Sequence, residues 1–425
     1  MTMSSLVRPA LRAQALSPNV FAAFSALALK HGSVNLGQGF PTFPAPDFLK
    51  DAVCEAIHAN NNQYGRPGGH PELVGVIGTQ YSEQLARKID GMTNVCTYSG
   101  AQEGIAAAAM AFVNPGDEVV VIEPYFDAYV NAVKLAGGKV IGVPLRTPEG
   151  ATVTNSSDYT LDPAELDRAI TPNTKMLILN TPHNPTGKVF SKSELVEVSD
   201  VVARHPDLIV LSDEVYEHSV YDDTEHIAFA TINDMWKRTI SLYSVGKTFS
   251  VTGFRLGYSI APEELSRELL KIRAALSFSS VTPIEIGTAK AIAACRSNNY
   301  YQDFRTMMQA KRDVLVAAMT QAGIPPVVPQ GGYFTVGDTS GPLVGAVPRL
   351  SEDDTAEQAL LERRDFRVAR WLTTEANITG IPMSCFYEPH NRYLANDVIR
   401  FCHAKDDDTM LAARSNFQKF AKQLS

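Results

Sequence analysis

The sequence predicts an α/β protein built on a mainly parallel sheet, with a smaller α+β unit beside it. Three observations predict this. Short runs apolar on both faces recur through the middle of the chain, helix-like stretches separate them, and the texture changes after about residue 300. A strand covered on both faces has no solvent side to keep polar, so parallel sheets read as continuous apolar runs. Alternation of such runs with helices is the pattern of an α/β layer structure.

Fold-like sequence begins by about Phe21. Residues 1–46 carry Arg8 and Arg12 and no Asp or Glu, a transit-peptide-like trait that keeps an organelle open beside the cytosol. The longest apolar run, Ile105 to Val113, is helical in character and too short to cross a bilayer. Strand-like runs follow at GDEVVVIEP (116–124), KMLILNTPHNPTG (175–187), DLIVLSDEVY (207–216), TISLYSVGK (239–247) and RLGYSIAP (255–262). Helix-like LDPAELDRAI (161–170) and SKSELVEVSDVVARH (191–205) lie between them, with Thr160 and Ser191 as candidate caps. A long helix is expected at 302–323, then PPVVPQGGYF, an acidic helix-rich stretch and the strand-like DVIRFCHAK. The stretch 341–355 reads as an exposed insertion, because Pro, Gly and acidic residues replace a core pattern. The expected units are an arm with part of the small domain (1–45), a large domain (46–300) and a small domain (301–425).

Composition narrows the function. A formal charge of −8 lacks the basic field that nucleic acid or an anionic membrane surface requires. Five scattered cysteines form no CxxC or Cys/His cluster, which suits reduced thiols in the cytosol rather than disulfides or a zinc site.

Each strand-like run ends in a polar or glycine-rich cluster, and ligands of such sheets gather beyond the carboxyl ends of the strands. In SVGKTFSVTGFRLG (244–257), Lys247 stands among small and hydroxylated residues, with Ser244 and Arg255 suited to an anion. Alone, this also fits a solvated surface lysine; the GxxxxGK[ST] phosphate loop is absent. Asp213 in LSDEVY is followed three residues later by Tyr216, although an acid there also suits a metal or a helix cap. Asn184 in NTPHNPTG (180–187) is equally a turn asparagine. SGAQEGIAAAAMAF (99–112) runs a tight turn into a helix whose first N–H groups, at Ala101 and Gln102, suit phosphate. EPYFDAY (123–129) sets Phe126 just past a strand, for stacking or for core packing.

Pyridoxal 5′-phosphate (PLP) asks for this whole set. Lys247 would bond its aldehyde carbon and later move a proton. Asp213 would keep the ring nitrogen protonated, and Tyr216 and Asn184 would donate to the phenolic oxygen. Ser244, Arg255, Ala101 and Gln102 would take the phosphate, and Phe126 the ring face.

Taken in order, Asn184, Asp213, Tyr216, Ser244, Lys247 and Arg255 resemble the site of class I (fold type I) PLP aminotransferases, from about Phe21 to the C-terminus. NLGQGFPTFPAPD (35–47), NQYGRPGGHPEL (62–73), EPYFDAY and SVGKTFSVTGFRLGY narrow the resemblance to the kynurenine aminotransferase group. Members of that group are also described as glutamine transaminase K and cysteine-S-conjugate β-lyase. The resemblance implies an obligate homodimer with shared sites, Tyr64 reaching the neighbour's phosphate. It further implies that Arg400 grips the substrate α-carboxylate beside the Gly39 N–H and Asn184. Phe21 and Phe278 would wall the substrate side chain, or else merely pack the arm onto the body. A wall favours kynurenine, phenylalanine, tyrosine, methionine or glutamine as donor and a 2-oxo acid as acceptor. One departure is Phe278-Ser279, where relatives often carry Phe-His: the aromatic ring is kept and a donor ring is lost.

Two rivals stand beside transamination. A β-lyase or aminocyclopropane-carboxylate synthase-like enzyme would share Lys247 and Asp213, but a lyase would make pyruvate and ammonia without a second oxo acid. A non-catalytic PLP-fold module would be expected to carry an added DNA-binding segment, and no basic helix-turn-helix precedes the matched region.

Overall fold

The computed structural model describes residues 8–16, 19–148, 152–341 and 363–424. The expected insertion at 341–355 lies outside them, apart from Gly341. A helix at Val20–His31 leads to a two-residue strand, β1 (Val34–Asn35). Seven strands then build the large sheet: β2 (Val95–Tyr98), β3 (Glu118–Glu123), β4 (Lys139–Pro144), β5 (Thr174–Asn180), β6 (Ile209–Asp213), β7 (Thr239–Ser244) and β8 (Gly257–Ile260). Their order is β2-β8-β7-β6-β5-β3-β4. All neighbours pair in parallel except β8, which runs antiparallel to both β2 and β7. The carboxyl ends of β2, β3, β5, β6 and β7 therefore share one edge.

The expected runs form this sheet because both faces are covered. In β3, Val120 and Ile122 enter one core cluster while Val119 and Val121 enter another; β5 divides Leu177 and Leu179 from Met176 and Ile178 in the same way. Each such burial contributes roughly 1.5–3 kcal/mol, so polar substitution on either face is costly.

Ser191 caps the helix Lys192–Ala203 in a reciprocal capping box with Glu194. Thr160 does not cap the preceding helix. Asp162 does, accepting from the Ala164 N–H at 2.9 Å, because Pro163 sets the first helical position and its predecessor must be the cap. Thr160 instead bridges to Arg146.

The remaining strands are β9 (Pro326–Val327), β10 (Phe334–Asp338), β11 (Ile378–Thr379), β12 (Ile381–Pro382) and β13 (Val398–Cys402). Four of them make an antiparallel sheet, β12-β13-β10-β9, reached through the long helix Tyr300–Gln321. The arm joins this part of the chain. Strand β1 pairs in parallel with β11, and Phe24 packs its ring 6.1 Å from Phe366 of the helix Arg364–Thr374. This arrangement lays the arm's Phe21 and strand β13 beside the carboxyl edge of the large sheet, and the site is built there.

Candidate active site

A cavity of about 550 Å³ opens at that edge, lined by Asp213, Ser244, Lys247, Asn184, Phe126 and Arg400 together with Ala101, Gln102, Gly39, Tyr216, Arg255 and Phe21. Twelve of the fourteen residues singled out in the sequence thus face one space. Tyr64 and Phe278 do not. Tyr64 is 85 % exposed and Phe278 is 48 % exposed, and they meet edge-on at 5.3 Å. Within one chain Phe278 therefore forms no wall with Phe21. The cause is local: Phe278 ends the helix Glu263–Ser277 at φ +62°, ψ −72°, which turns its ring outward. A side-chain residue held there costs on the order of 1–3 kcal/mol.

Lys247 follows β7 within the single helical turn Val245–Thr248, and its Nζ donates to the Gly39 carbonyl at 2.6 Å. The rings of Tyr216 and Tyr333 lie 5.6 and 5.4 Å from the same atom. Burial is the main cause bringing the Lys247 ammonium down to about 8, and the Arg400 cation adds to it. A neutral, nucleophilic amine is therefore within reach near neutral pH.

Asp213, 3 % exposed, ends β6, and burial pushes its carboxyl up to about 6. Two donors oppose that rise: the Tyr129 hydroxyl at 2.5 Å and the Val215 N–H at 3.3 Å. Tyr129 was not singled out in the sequence. A signal existed, since it lies in the same EPYFDAY motif, three residues after Phe126, which caps the helix that carries it. The two rings meet at 5.7 Å and 90°. Asn180 was also missed: its amide donates to the Asp213 carbonyl at 2.8 Å and its Oδ1 accepts the Asn184 N–H at 2.7 Å, tying the NTPHNPTG turn to β6.

Arg400 comes from β13 and is 1 % exposed. It donates to Asn184 Oδ1 at 3.1 Å and to the Gly37 carbonyl at 2.7 Å, while its Nε has no partner. Phe334, Phe21 and Phe386 surround the guanidinium at 4.0, 5.1 and 5.1 Å. Among the described residues no carboxylate pairs with it within 4.0 Å, and burial lowers its affinity for the proton. A buried cation with an unused donor suits an incoming carboxylate. Phe334 and Phe386 had no local signal in the sequence, because only the packing of the smaller sheet brings them here. Gly39 admits no side chain: a Cβ there would lie 2.6 Å from the Phe334 ring.

At the far end, Gly100 (φ +89°) precedes the helix Ala101–Phe112. A Cβ on Gly100 would lie 2.4 Å from the Arg255 guanidinium, and one on Gly257 would lie 2.5 Å from the Ala101 nitrogen. The backbone is thus bared beside a cation at a helix N-terminus, a cradle for a dianion. Ser244 and Arg255 line the same end. Ala101 and Gln102 bring the N–H groups of the first helical turn, which have no intrahelical acceptor.

The family model for class I and II aminotransferases matches residues 32–415. The chain belongs to that family. Kynurenine–oxoglutarate transaminase of Dictyostelium discoideum is 40% identical to this aminotransferase over 428 residues, covering 99% of this chain and 98% of that one. The solved structure of Bna3p from Saccharomyces cerevisiae superimposes with a TM-score of 0.91 at 30% identity, covering 98% and 99% of the two chains. That of YbdL from Escherichia coli, which has a methionine aminotransferase function, gives 0.83 at 30% identity over 97% and 100%. The fold is fold type I, and the aminotransferase uses PLP to move an amino group between an amino acid and a 2-oxo acid. Elimination as the main reaction is not favoured.

The cavity fits that cofactor. An amine brought toward neutrality, a buried carboxylate and a cradle of bared backbone beside Ser244 and Arg255 are presented to one space. When bound, PLP supplies the electron sink that stabilises negative charge at the amino-acid Cα.

Proposed function

We propose that this aminotransferase takes L-amino acids with long uncharged or aromatic side chains, of the kynurenine, phenylalanine, methionine or glutamine type. The carrying observation is Arg400, a buried guanidinium with a free Nε inside a wall of phenylalanines. Arg400 clamps the substrate α-carboxylate, the Gly39 N–H assists, and the rings receive the side chain. Lys247 holds the cofactor covalently and then moves the proton at Cα. Asp213 keeps the ring nitrogen protonated, and Tyr216 and Asn184 donate to the phenolic oxygen. Phe126 covers the ring, while Ser244, Arg255, Ala101 and Gln102 hold the phosphate. The breadth described as glutamine transaminase K fits this pocket.

Among the described residues that line the cavity, none offers a second carboxylate on the substrate a spare cation. Arg255 stands at the phosphate end, and Asp127 lines the cavity. Desolvating an unpaired carboxylate beside it is unfavourable. In a panel of donors, phenylalanine, methionine, kynurenine and glutamine should therefore each exceed aspartate in kcat/KM. Phe21→Ala should lower kcat/KM for phenylalanine roughly 10- to 100-fold, the value of one buried aromatic side chain, with PLP affinity unchanged. Aspartate as the best donor would refute the pocket.

Arg400→Lys should raise KM for every amino acid roughly 10- to 100-fold, since the forked pair of N–H···O bonds is lost while one charge remains. PLP affinity should not change, as read by titrating the apoenzyme. Equal amino-acid affinity in the variant would remove Arg400 from the clamp.

We further propose a homodimer with shared sites. Tyr64 and Phe278 form an exposed aromatic pair, with Leu276 (46 % exposed) and Val281 (55 %) nearby in sequence. Exposed apolar surface of this kind marks an interface, and a second copy offers the phosphate cradle and substrate wall that these rings would complete. Five unpaired cysteines support a reducing, cytosolic location.

A further inference from the structure

The cavity is lined by every residue proposed above to hold the cofactor within one chain, yet the Tyr64 and Phe278 rings that would complete it lie outside it on the same chain. What holds them in place is a polar network around Arg273, a residue without a role in the chemistry. Arg273 lies in the last turns of the helix Glu263–Ser277 and is fully buried. Its Nε donates to the Thr97 carbonyl at 2.9 Å, one Nη donates to the Ser280 hydroxyl at 2.9 Å, and the other donates to the Ser277 hydroxyl. Ser277 and Ser280 flank Phe278. The Ser279 N–H closes onto the Ser277 carbonyl at 2.8 Å, so Phe278 is the centre of a γ-turn with positive φ. That turn is rare because the backbone is strained, and it persists only where its surroundings hold it.

The same network reaches the phosphate end. The Ser277 hydroxyl donates onward to Glu103 Oε1 at 2.5 Å, and Arg273 lies 3.6 Å from that oxygen. The other carboxylate oxygen of Glu103 accepts the Ser99 N–H, and the Ser99 carbonyl accepts from Arg255. Glu103 thereby fixes the turn that bares Ala101 and Gln102. On the opposite side Thr97 donates to Glu285 at 2.7 Å, and Glu285 accepts the His70 N–H at 3.0 Å. Thr282, in the same helix as Glu285, donates to the Gln63 carbonyl at 2.6 Å, next to Tyr64.

We propose that Arg273 is a positioning residue that sets two things together: the phosphate turn of its own subunit and the Phe278 turn offered to the partner's substrate pocket. The inference rests on the shared-site reading. It assigns one buried guanidinium an effect in cis on cofactor and an effect in trans on substrate.

Heterodimers of two differently tagged full chains separate these effects. Pairing Tyr64→Ala with Lys247→Ala first tests sharing itself: recovered activity supports it, and confirmed heterodimers without activity overturn the shared-site reading before Arg273 is addressed. Next, a wild-type subunit is paired with a Lys247→Ala subunit, so that one live site remains. Ser277→Ala, which cuts the exposed link between Arg273 and Glu103, is placed on either subunit. On the Lys247→Ala subunit it should raise KM for phenylalanine about tenfold, the worth of one charged hydrogen bond, with PLP affinity unchanged. On the live subunit it should weaken PLP about tenfold and leave KM unchanged at saturating PLP. Ser277→Thr, which keeps the hydroxyl, should restore both, and Arg273→Lys in the same two placements should repeat the split. No change in KM from the Lys247→Ala side, or the same loss from both placements, would overturn the proposal.

Discussion

Lys247→Ala is expected to reduce turnover by at least about 10⁴-fold, because in the proposed site it removes both the residue that would hold the cofactor covalently and the one that would act as base at Cα. The fold should survive: the side chain makes one hydrogen bond, to the Gly39 carbonyl, so thermal unfolding should shift little. Borohydride reduction of the wild-type holoenzyme followed by peptide mapping should place the cofactor on Lys247, and a label on another lysine would overturn the assignment. A pH dependence follows from burial. The Lys247 ammonium is brought down to about 8, so the reactive neutral amine gains population as pH rises through that value. The rate at which apoenzyme takes up PLP should climb across the same interval, and a flat rate from pH 6 to 9 would show that this amine is not the group titrating.

Asp213→Asn should cut kcat on the order of 10³-fold, about 4 kcal/mol of transition-state stabilisation, with the folded state intact. An amide is the same size but cannot favour a protonated ring nitrogen as a carboxylate does. Tyr129→Phe is the informative comparison. It removes the 2.5 Å donor that opposes the burial-driven rise of Asp213 toward 6, leaving the carboxyl higher still. Its effect should be smaller, about tenfold in kcat, as expected for one hydrogen bond, and it should move the acid limb of the kcat profile upward. A near-normal rate in Asp213→Asn would make this carboxylate a structural group.

That the candidate cofactor residues would face one cavity was legible in the sequence because they sit at strand ends. Once the apolar runs are known to pair in parallel, the residues just after β5, β6 and β7 must share an edge, whatever the remaining chain does. Asn184, Asp213 and Lys247 follow from local pattern plus that one topological rule. Residues that act through a distant partner were not legible in this way. Tyr129 lay inside a motif already read, but its bond to Asp213 depends on how the helix Asp127–Ala136 rolls against the sheet. Phe334 and Phe386 carry no signal, since their place against Arg400 exists only after the smaller sheet packs beside the larger one.

The sequence by itself determined the α/β class, the parallel core and which polar side chains stand at the strand ends, because apolar period and turn residues act over a few positions. Tertiary structure alone decided three other matters. It turned Phe278 outward through a positive-φ turn and left Tyr64 beside it. It caged Arg400 among rings and, among the described residues, placed no carboxylate within 4.0 Å of it. It enclosed Arg273 between the phosphate turn and the Phe278 turn. Each depends on the free energy of burying a charge or a ring among residues far apart in the chain, and no local pattern carries that information.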